Sequence, residues 1–226
     1  MLRIILADAE LELIPEGLFG HPSVRSYAKR RGKPPERLLM DGSFVHSALN
    51  RLPDGDRRGR PDIVHVFLLV CLDSILNLRG QLETLVHTRN NEVISISQET
   101  RLPKNYNRFL GLMESLFERG VVPSKENPLL RLERDLSLGN LLDRFRGQSI
   151  ALTEDAPLMD PVAVFEKLGP DVNCIVGGFP RGDFLSPVRE LTAKRFSLWR
   201  EPLKIWTVAS ELTTSYGRVA DSKGKR

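Results

Sequence analysis

The chain carries two cysteines in 226 residues, Cys71 and Cys174, and each lies inside an apolar run. A disulfide scaffold is thereby excluded as the main source of stability, and two buried free thiols are expected. The four histidines, His21, His46, His65 and His87, show no ligand spacing with one another or with the cysteines, so no metal site is expected. None of them is paired with a serine or cysteine in a way that suggests nucleophilic catalysis. No G-x-S-x-G, H-E-x-x-H or G-x-G-x-x-G segment occurs, which leaves esterase, zinc-protease and dinucleotide readings without positive support. Long apolar runs are missing too. The longest, Ile63 to Leu72, is far too short to span a bilayer. The N-terminal run is broken at once by Asp8 and Glu10, unlike a signal peptide. A soluble, cytoplasmic protein with no membrane partner is expected. A large charge of either sign is also absent. The balance of 33 basic against 29 acidic residues, net +4, permits a nucleic-acid partner without demanding one.

What is present fits one globular domain over residues 1–226. Leu2 to Leu6 reads as a buried strand ending at Asp8. Arg25 to Arg37 is basic, and Pro34-Pro35 interrupts any helix there, so a solvated loop is expected within a basic region spanning 25–60. Ile63 to Leu78 reads as one buried helix. Leu82 to Val86 and Glu92 to Ser97 alternate around Arg89-Asn90-Asn91, which suggests a β-hairpin excursion over 81–102. Pro103 opens a helix whose apolar positions Tyr106, Phe109, Leu110, Met113, Leu116 and Phe117 share one face, and Gly120 closes it.

The C-terminal third alternates more regularly. Strands are expected at Ser149 to Thr153, Asn173 to Val176 and Arg195 to Trp199. Helices are expected from Asp160-Pro161 to Leu168, after Ser186-Pro187, and from Ile205 onward, with Asp221 to Arg226 as a disordered tail. Such alternation implies an α/β fold with a mainly parallel, Rossmann-like sheet and helices on both faces.

Four segments carry candidate chemistry, each with a plainer alternative. Gly177-Gly178-Phe179-Pro180-Arg181-Gly182-Asp183-Phe184 follows a strand, where open α/β sheets bind ligands. It is either a cofactor edge or a tight strand-to-helix turn. Asp183 stands where a P-loop needs lysine, which disfavours a nucleoside triphosphate. Leu198-Trp199-Arg200-Glu201-Pro202-Leu203 occupies the next loop on that edge and is suited to clamp a flat apolar group, or else Trp199 and Leu203 fill core; Ile205 and Trp206 read as core. Arg60-Pro61-Asp62 is a helix start with an acid in its first turn, or an arginine buttressed by aspartate with donors left over. Arg101, Lys104 and Arg108 form a solvated helix face or a grip on an RNA backbone, Lys104 and Arg108 being four apart.

Taken together, several segments resemble one family. They are Leu39-Met40-Asp41-Gly42, Arg60-Pro61-Asp62-Ile63-Val64-His65, Leu72-Asp73-Ser74-Ile75-Leu76-Asn77 and His87-Thr88-Arg89-Asn90, followed by the run Arg101 to Phe109 with Gly111-Leu112-Met113, and Gly177 to Phe184. The chain resembles the small-subunit ribosomal RNA pseudouridine-N1-methyltransferases of the SPOUT, or α/β-knot, class. That resemblance implies a C-terminal trefoil knot, a homodimer, S-adenosylmethionine as methyl donor and small-subunit ribosomal RNA as substrate, with ribosomal proteins as further partners. It implies that Thr153, Gly177, Gly178, Gly182 and the loop Leu198, Trp199, Arg200, Glu201, Pro202, Leu203 surround the cofactor. Arg60, Arg101, Lys104 and Arg108 then contact RNA, and Arg60 with Asp62 forms the catalytic pair, on a different segment of the chain from those that hold the cofactor. The chain has Ile75 where that family usually has proline, and Lys104 where it usually has arginine. The competing class is a non-catalytic RNA-binding assembly factor, which has no use for a cofactor edge.

Overall fold

The computed structural model describes residues 1–223. The chain begins with β1 (Leu2–Ala9) and continues through α1 (Pro22–Arg31), α2 (Gly42–Leu49), α3 (Pro61–Leu72) and α4 (Ile75–Leu78). There follow β2 (Leu82–Thr88), β3 (Val93–Ile96), α5 (Tyr106–Arg119), β4 (Val121–Pro123), β5 (Pro128–Glu133) and α6 (Leu138–Leu142). The last part runs β6 (Gln148–Leu152), α7 (Pro161–Glu166), β7 (Val172–Gly177), α8 (Val188–Leu191), β8 (Lys194–Phe196) and α9 (Ile205–Lys223).

One eight-stranded sheet has the order β4-β5-β3-β2-β1-β7-β6-β8. The five strands from β2 to β8 along that order are parallel, and β3, β5 and β4 add antiparallel pairs at one side. The central strand β1 is mostly apolar on both faces, as expected of a doubly covered parallel strand, with Arg3 and Asp8 as its polar residues. Its residues divide by the two-residue period. Leu2, Ile4 and Leu6 join Val172, Cys174 and Val176 under α3, α5, α7 and α9. Ile5 and Ala7 face the other way, with Ile175 and Ala151, under α6 and α8. A separate small core, with Ile14, Val24, Tyr27, Leu38, Met40 and Val45 among its members, holds α1 and α2 together. The fold is therefore α/β, with a mostly parallel sheet and helices on both faces.

Several local expectations are corrected. Arg25 to Arg37 is not a loop, since α1 runs to Arg31 and is closed by Gly32 at φ 62° before the prolines begin. Only Val24 and Tyr27 of α1 are buried, so the helix has little apolar pattern. It is held by ionic and aromatic contacts instead. The buried Glu114 carboxylate accepts from Arg31 at 3.0 Å and Lys33 at 2.7 Å, and the Arg30 guanidinium lies 4.3 Å from the Phe44 ring centre.

The apolar run from Ile63 is two helices, because Asp73 ends α3 and Ser74 caps α4. The helix after Pro103 starts at Tyr106 under an Asn105 cap, so Lys104 lies before it and shares no helix face with Arg108. The hairpin pairing of β2 and β3 is present, but β2 is also the parallel neighbour of β1. Ser186 does not cap α8; its N–H and hydroxyl turn to Asp8. Asp221, expected in a disordered tail, lies in α9 and accepts from Arg79 at 2.8 Å. Residues 224–226 of that tail lie outside the described residues.

Both cysteines are free and buried, and burial pushes their thiols up. Among the described residues, no helix is long and apolar enough to cross a membrane and no cluster of His, Cys, Asp or Glu is placed to hold a metal ion.

Candidate active site

The parallel strands β1, β7, β6 and β8 end at one edge of the sheet, where ligands of open α/β folds lie. Beyond β7 the chain enters the glycine segment. Gly178 donates to Ala7 O at 2.8 Å and its carbonyl accepts from Glu10 N at 3.1 Å. The approach to β1 is so close that a Cβ on Gly178 would lie 2.6 Å from Ala9 Cα. A Cβ on Gly177 would meet the Phe179 ring at 2.8 Å, and Gly182 has φ +83°, a conformation that favours glycine.

The far end of this loop is held by Asp8, which stands at φ 51° at the end of β1. The Asp8 carboxylate accepts from Leu185 N at 2.8 Å, Ser186 N at 2.9 Å and Ser186 Oγ at 2.7 Å. Burial alone would raise the pKa of Asp8, but the hydrogen bonds from His87 and Ser186 hold it below the ordinary carboxylate value.

Beyond β8 the chain forms a second loop. Ser197 bridges to Leu158, and Ser197 Oγ donates to Trp199 O at 2.7 Å. Beyond β6, Thr153 N donates to Phe196 O at 3.2 Å. Asp155 follows and accepts from Arg189 at 2.7 Å and Arg195 at 3.1 Å. The Thr153 hydroxyl, with help from these arginines, holds the Asp155 carboxyl below its ordinary value.

These three loops enclose a cleft of about 540 Å³. Its floor is apolar, from Leu152, Val176, Ile63, Val66 and Val208. Of the residues expected around a cofactor, Thr153, Gly177, Gly182, Leu198, Trp199, Glu201, Pro202 and Leu203 line the cleft. Gly178 and Arg200 do not: Gly178 is buried against β1, and Arg200 is exposed outside the lining. Trp206, read from sequence as core, is half exposed and lines the cleft. Phe179 and Phe184 of the glycine segment also form walls, and sequence reasoning missed Asp155 and Arg189 there.

Arg60 and Asp62 line the same cleft. Their segment, separate in sequence from the three loops, is brought by the fold to the same cleft. Arg60 caps α3, which puts it where the chain leaves the loop 50–60. Its Nε donates to Asp62 Oδ1 at 2.8 Å and its Nη2 to Asp62 Oδ2 at 2.7 Å, a two-pronged pair that leaves Nη1 unengaged among the described residues. Hydrogen bonding to Asp62 raises the pKa of Arg60, so the guanidinium stays charged.

Next to this pair, Tyr106 Oη donates to the buried Asp41 at 2.7 Å, and burial followed by that contact pushes the phenol up. Pro103 O accepts from His65 Nε2 at 2.8 Å, which joins the segment 101–106 to α3. Arg101, Lys104 and Arg108 are exposed, lie outside the cleft lining and form no ion pair among the described residues.

Residues 4–217 match the family model described as EMG1/NEP1 methyltransferase. A protein of Methanothrix thermoacetophila named ribosomal RNA small subunit methyltransferase Nep1 is 47% identical over 216 residues, covering 96% of this chain and 95% of its own. The protein of the same name from Thermococcus kodakarensis is 50% identical over 219 residues, covering 96% and 97%. The crystal structure of Archaeoglobus fulgidus Nep1 bound to S-adenosylhomocysteine superposes with a TM-score of 0.86 at 40% identity, covering 96% of this chain and 98% of that one. With most of its length matched by the family model and by relatives of this similarity, the chain belongs to the EMG1/NEP1 methyltransferase family.

Proposed function

We propose that this protein transfers a methyl group from S-adenosylmethionine to N1 of a pseudouridine in small-subunit ribosomal RNA. The observation that carries the reading is one cleft bounded by the loops after β6, β7 and β8, with the Arg60–Asp62 pair in its wall. Its volume falls in the range of small-molecule sites, and an apolar floor under walls that carry polar and charged groups suits a nucleoside-bearing cofactor with a charged tail. The cofactor supplies a methyl group already activated on a sulfonium. Thr153, Gly177, Gly182 and the 198–203 loop, of which Leu198, Trp199, Glu201, Pro202 and Leu203 line the cleft, would hold it.

What the chain itself supplies is placement and charge. Aligned placement of reactants removes about 7–11 kcal/mol of barrier. The free Nη1 of Arg60 is available for a ring carbonyl on which negative charge grows as the N1 proton passes to solvent water, while the S–CH3 bond breaks and the N1–CH3 bond forms. One such oriented donor is worth ~3 kcal/mol. Asp62 serves as a support, since both of its carboxylate oxygens accept from Arg60. Arg101, Lys104 and Arg108, exposed and unpaired among the described residues, suit the RNA backbone. A purely RNA-binding assembly factor would leave the cleft without a purpose.

The finer points of architecture belong to the same reading. The chain is one α/β-knot domain, whose trefoil threading is supported by β8 lying beyond β6 and by the return of α9 onto α3 and α7. Homodimerisation is supported by Ile75 and Leu78, 68% and 76% exposed beside α9. The protein acts in the cytoplasm on ribosomal RNA, with ribosomal proteins nearby. The Arg60–Asp62 assignment is tested by single-turnover methyl transfer in Arg60→Ala, Asp62→Ala and the double variant. Arg60→Ala should slow transfer by about 10²–10³-fold, and the double should cost little more, as expected of coupled groups. Strictly additive losses reject the pair as a unit.

A further inference from the structure

Glu10 is fully buried, its backbone groups joining the two halves of the site and its carboxylate held by two arginines. Its N–H donates to Gly178 O at 3.1 Å, and its carbonyl accepts from Arg60 N at 2.9 Å. Its carboxylate accepts from Arg57 Nε at 2.6 Å and from Arg89 Nη1 at 2.8 Å. One residue thus touches the backbone of the glycine loop and the backbone of the cleft arginine.

Arg57 extends this link. Its side chain is 8% exposed. Its Nη1 donates to Asp183 O at 2.8 Å, and its guanidinium carbon lies 4.2 Å from the centre of the Phe179 ring. Phe179 and Asp183 flank Gly182, and all three line the cleft. A Cβ on Gly182 would come within 3.3 Å of Arg57 Nη1, so that glycine leaves room for the guanidinium. Arg57 Nη2 is buried with no partner among the described residues, a cost tolerated where geometry is held for a purpose. A buried ion pair contributes little net stability against its desolvation, so stability is a poor explanation for this one.

The neighbouring pair gives the contrast. Arg58 forms a largely buried two-pronged pair with Glu12, at 2.8 and 2.6 Å, and its side chain makes no hydrogen bond or ion pair with the cleft lining.

We infer that Arg57, aimed by Glu10, is a positioning residue that sets the glycine loop against the cofactor and fixes that loop relative to Arg60. The inference rests on the reading of the cleft as the cofactor site. The test compares Arg57→Gln with Arg58→Gln in the full chain, by calorimetric titration with S-adenosylhomocysteine and by thermal melting. Loss of one charge-assisted hydrogen bond to the loop should weaken S-adenosylhomocysteine about tenfold in Arg57→Gln. Arg58→Gln should keep its affinity within about twofold while losing thermal stability comparably. Arg57→Lys, which keeps the charge beside Glu10 but lacks the fork that reaches Asp183 O, should fall on the weakened side and serves if the glutamine variant does not fold. Unchanged affinity in the Arg57 variants, or equal losses in the Arg57 and Arg58 variants, overturns the inference alone. Failure of the unaltered protein to bind S-adenosylhomocysteine overturns the cofactor assignment, and this inference with it.

Discussion

The glycine loop and the 198–204 loop face one another across one cleft, yet they are held in different ways. The first is anchored at both ends by buried groups, Glu10 N against Gly178 O and Asp8 against Leu185 and Ser186. The second has one side-chain anchor, Ser197 Oγ on Trp199 O, and then runs exposed from Trp199 to Lys204. Few buried contacts and few backbone hydrogen bonds mark the low-stability end of a structure. One wall is therefore built before any ligand arrives, and the other is free to adapt to it.

Three substitutions sharpen this contrast. The largest effect is expected from Asp8→Asn, which keeps a residue type that tolerates positive φ but removes the charge that three donors share. Stability should fall by about 3 kcal/mol, with a parallel loss of S-adenosylhomocysteine affinity, read by denaturant unfolding and calorimetry. The folded-state pKa of Asp8 is lowered, so its contribution is fully present above the unfolded value near 3.9 and is lost as pH falls through the folded one. The stability gap between parent and variant should hold constant at neutral pH and narrow below about pH 4. A gap that widens on acidification would contradict the assignment.

A smaller loss is expected from Gly178→Ala. The added Cβ meets the backbone of β1 at Ala9 and the side chain of Leu6, which cannot move without disturbing the central strand. Overpacking of this kind costs about 1–3 kcal/mol, so unfolding should come earlier, although the residue does not line the cleft. Normal stability with lost binding would show that the glycine touches the ligand after all. The smallest effect on stability is expected from Trp199→Ala, since this side chain is 58% exposed. Its melting temperature should match the parent while S-adenosylhomocysteine affinity drops severalfold. A large loss of stability would mean that the second wall is as firmly built as the first.

The same division explains what the sequence revealed. Strands β1 and β7 were legible because a strand covered on both faces is mostly apolar, Arg3, Asp8 and Asn173 being the exceptions, and the glycines after β7 then located the cleft edge. The apolar stripe of α5 was equally plain. Helix α1 was hidden because Glu114, more than eighty positions away, supplies the charge that holds its end. Strands β4 and β5 carry Pro123 and Pro128, which read as turn residues and are tolerated here at the antiparallel side of the sheet.

Within the cleft, the strand ends and the Arg-Pro-Asp spacing could be read directly. Trp206 could not, because apolar spacing on α9 does not tell a core face from a cleft wall. Arg57 was equally hidden among Arg57, Arg58 and Arg60, three arginines of one loop that the fold sends to Glu10, Glu12 and Asp62.

Methyl transfer itself tests the account most directly. Two RNA hairpins that differ only in pseudouridine against uridine at one position would be incubated with the protein and S-adenosylmethionine, and label incorporation measured in a single turnover. Pseudouridine offers a free N1–H, whereas the N1 of uridine is bound to the sugar. The account predicts label in the pseudouridine hairpin alone, sensitive to Arg60→Ala. Equal labelling of both hairpins, or labelling of neither by a protein that binds S-adenosylhomocysteine, would contradict it.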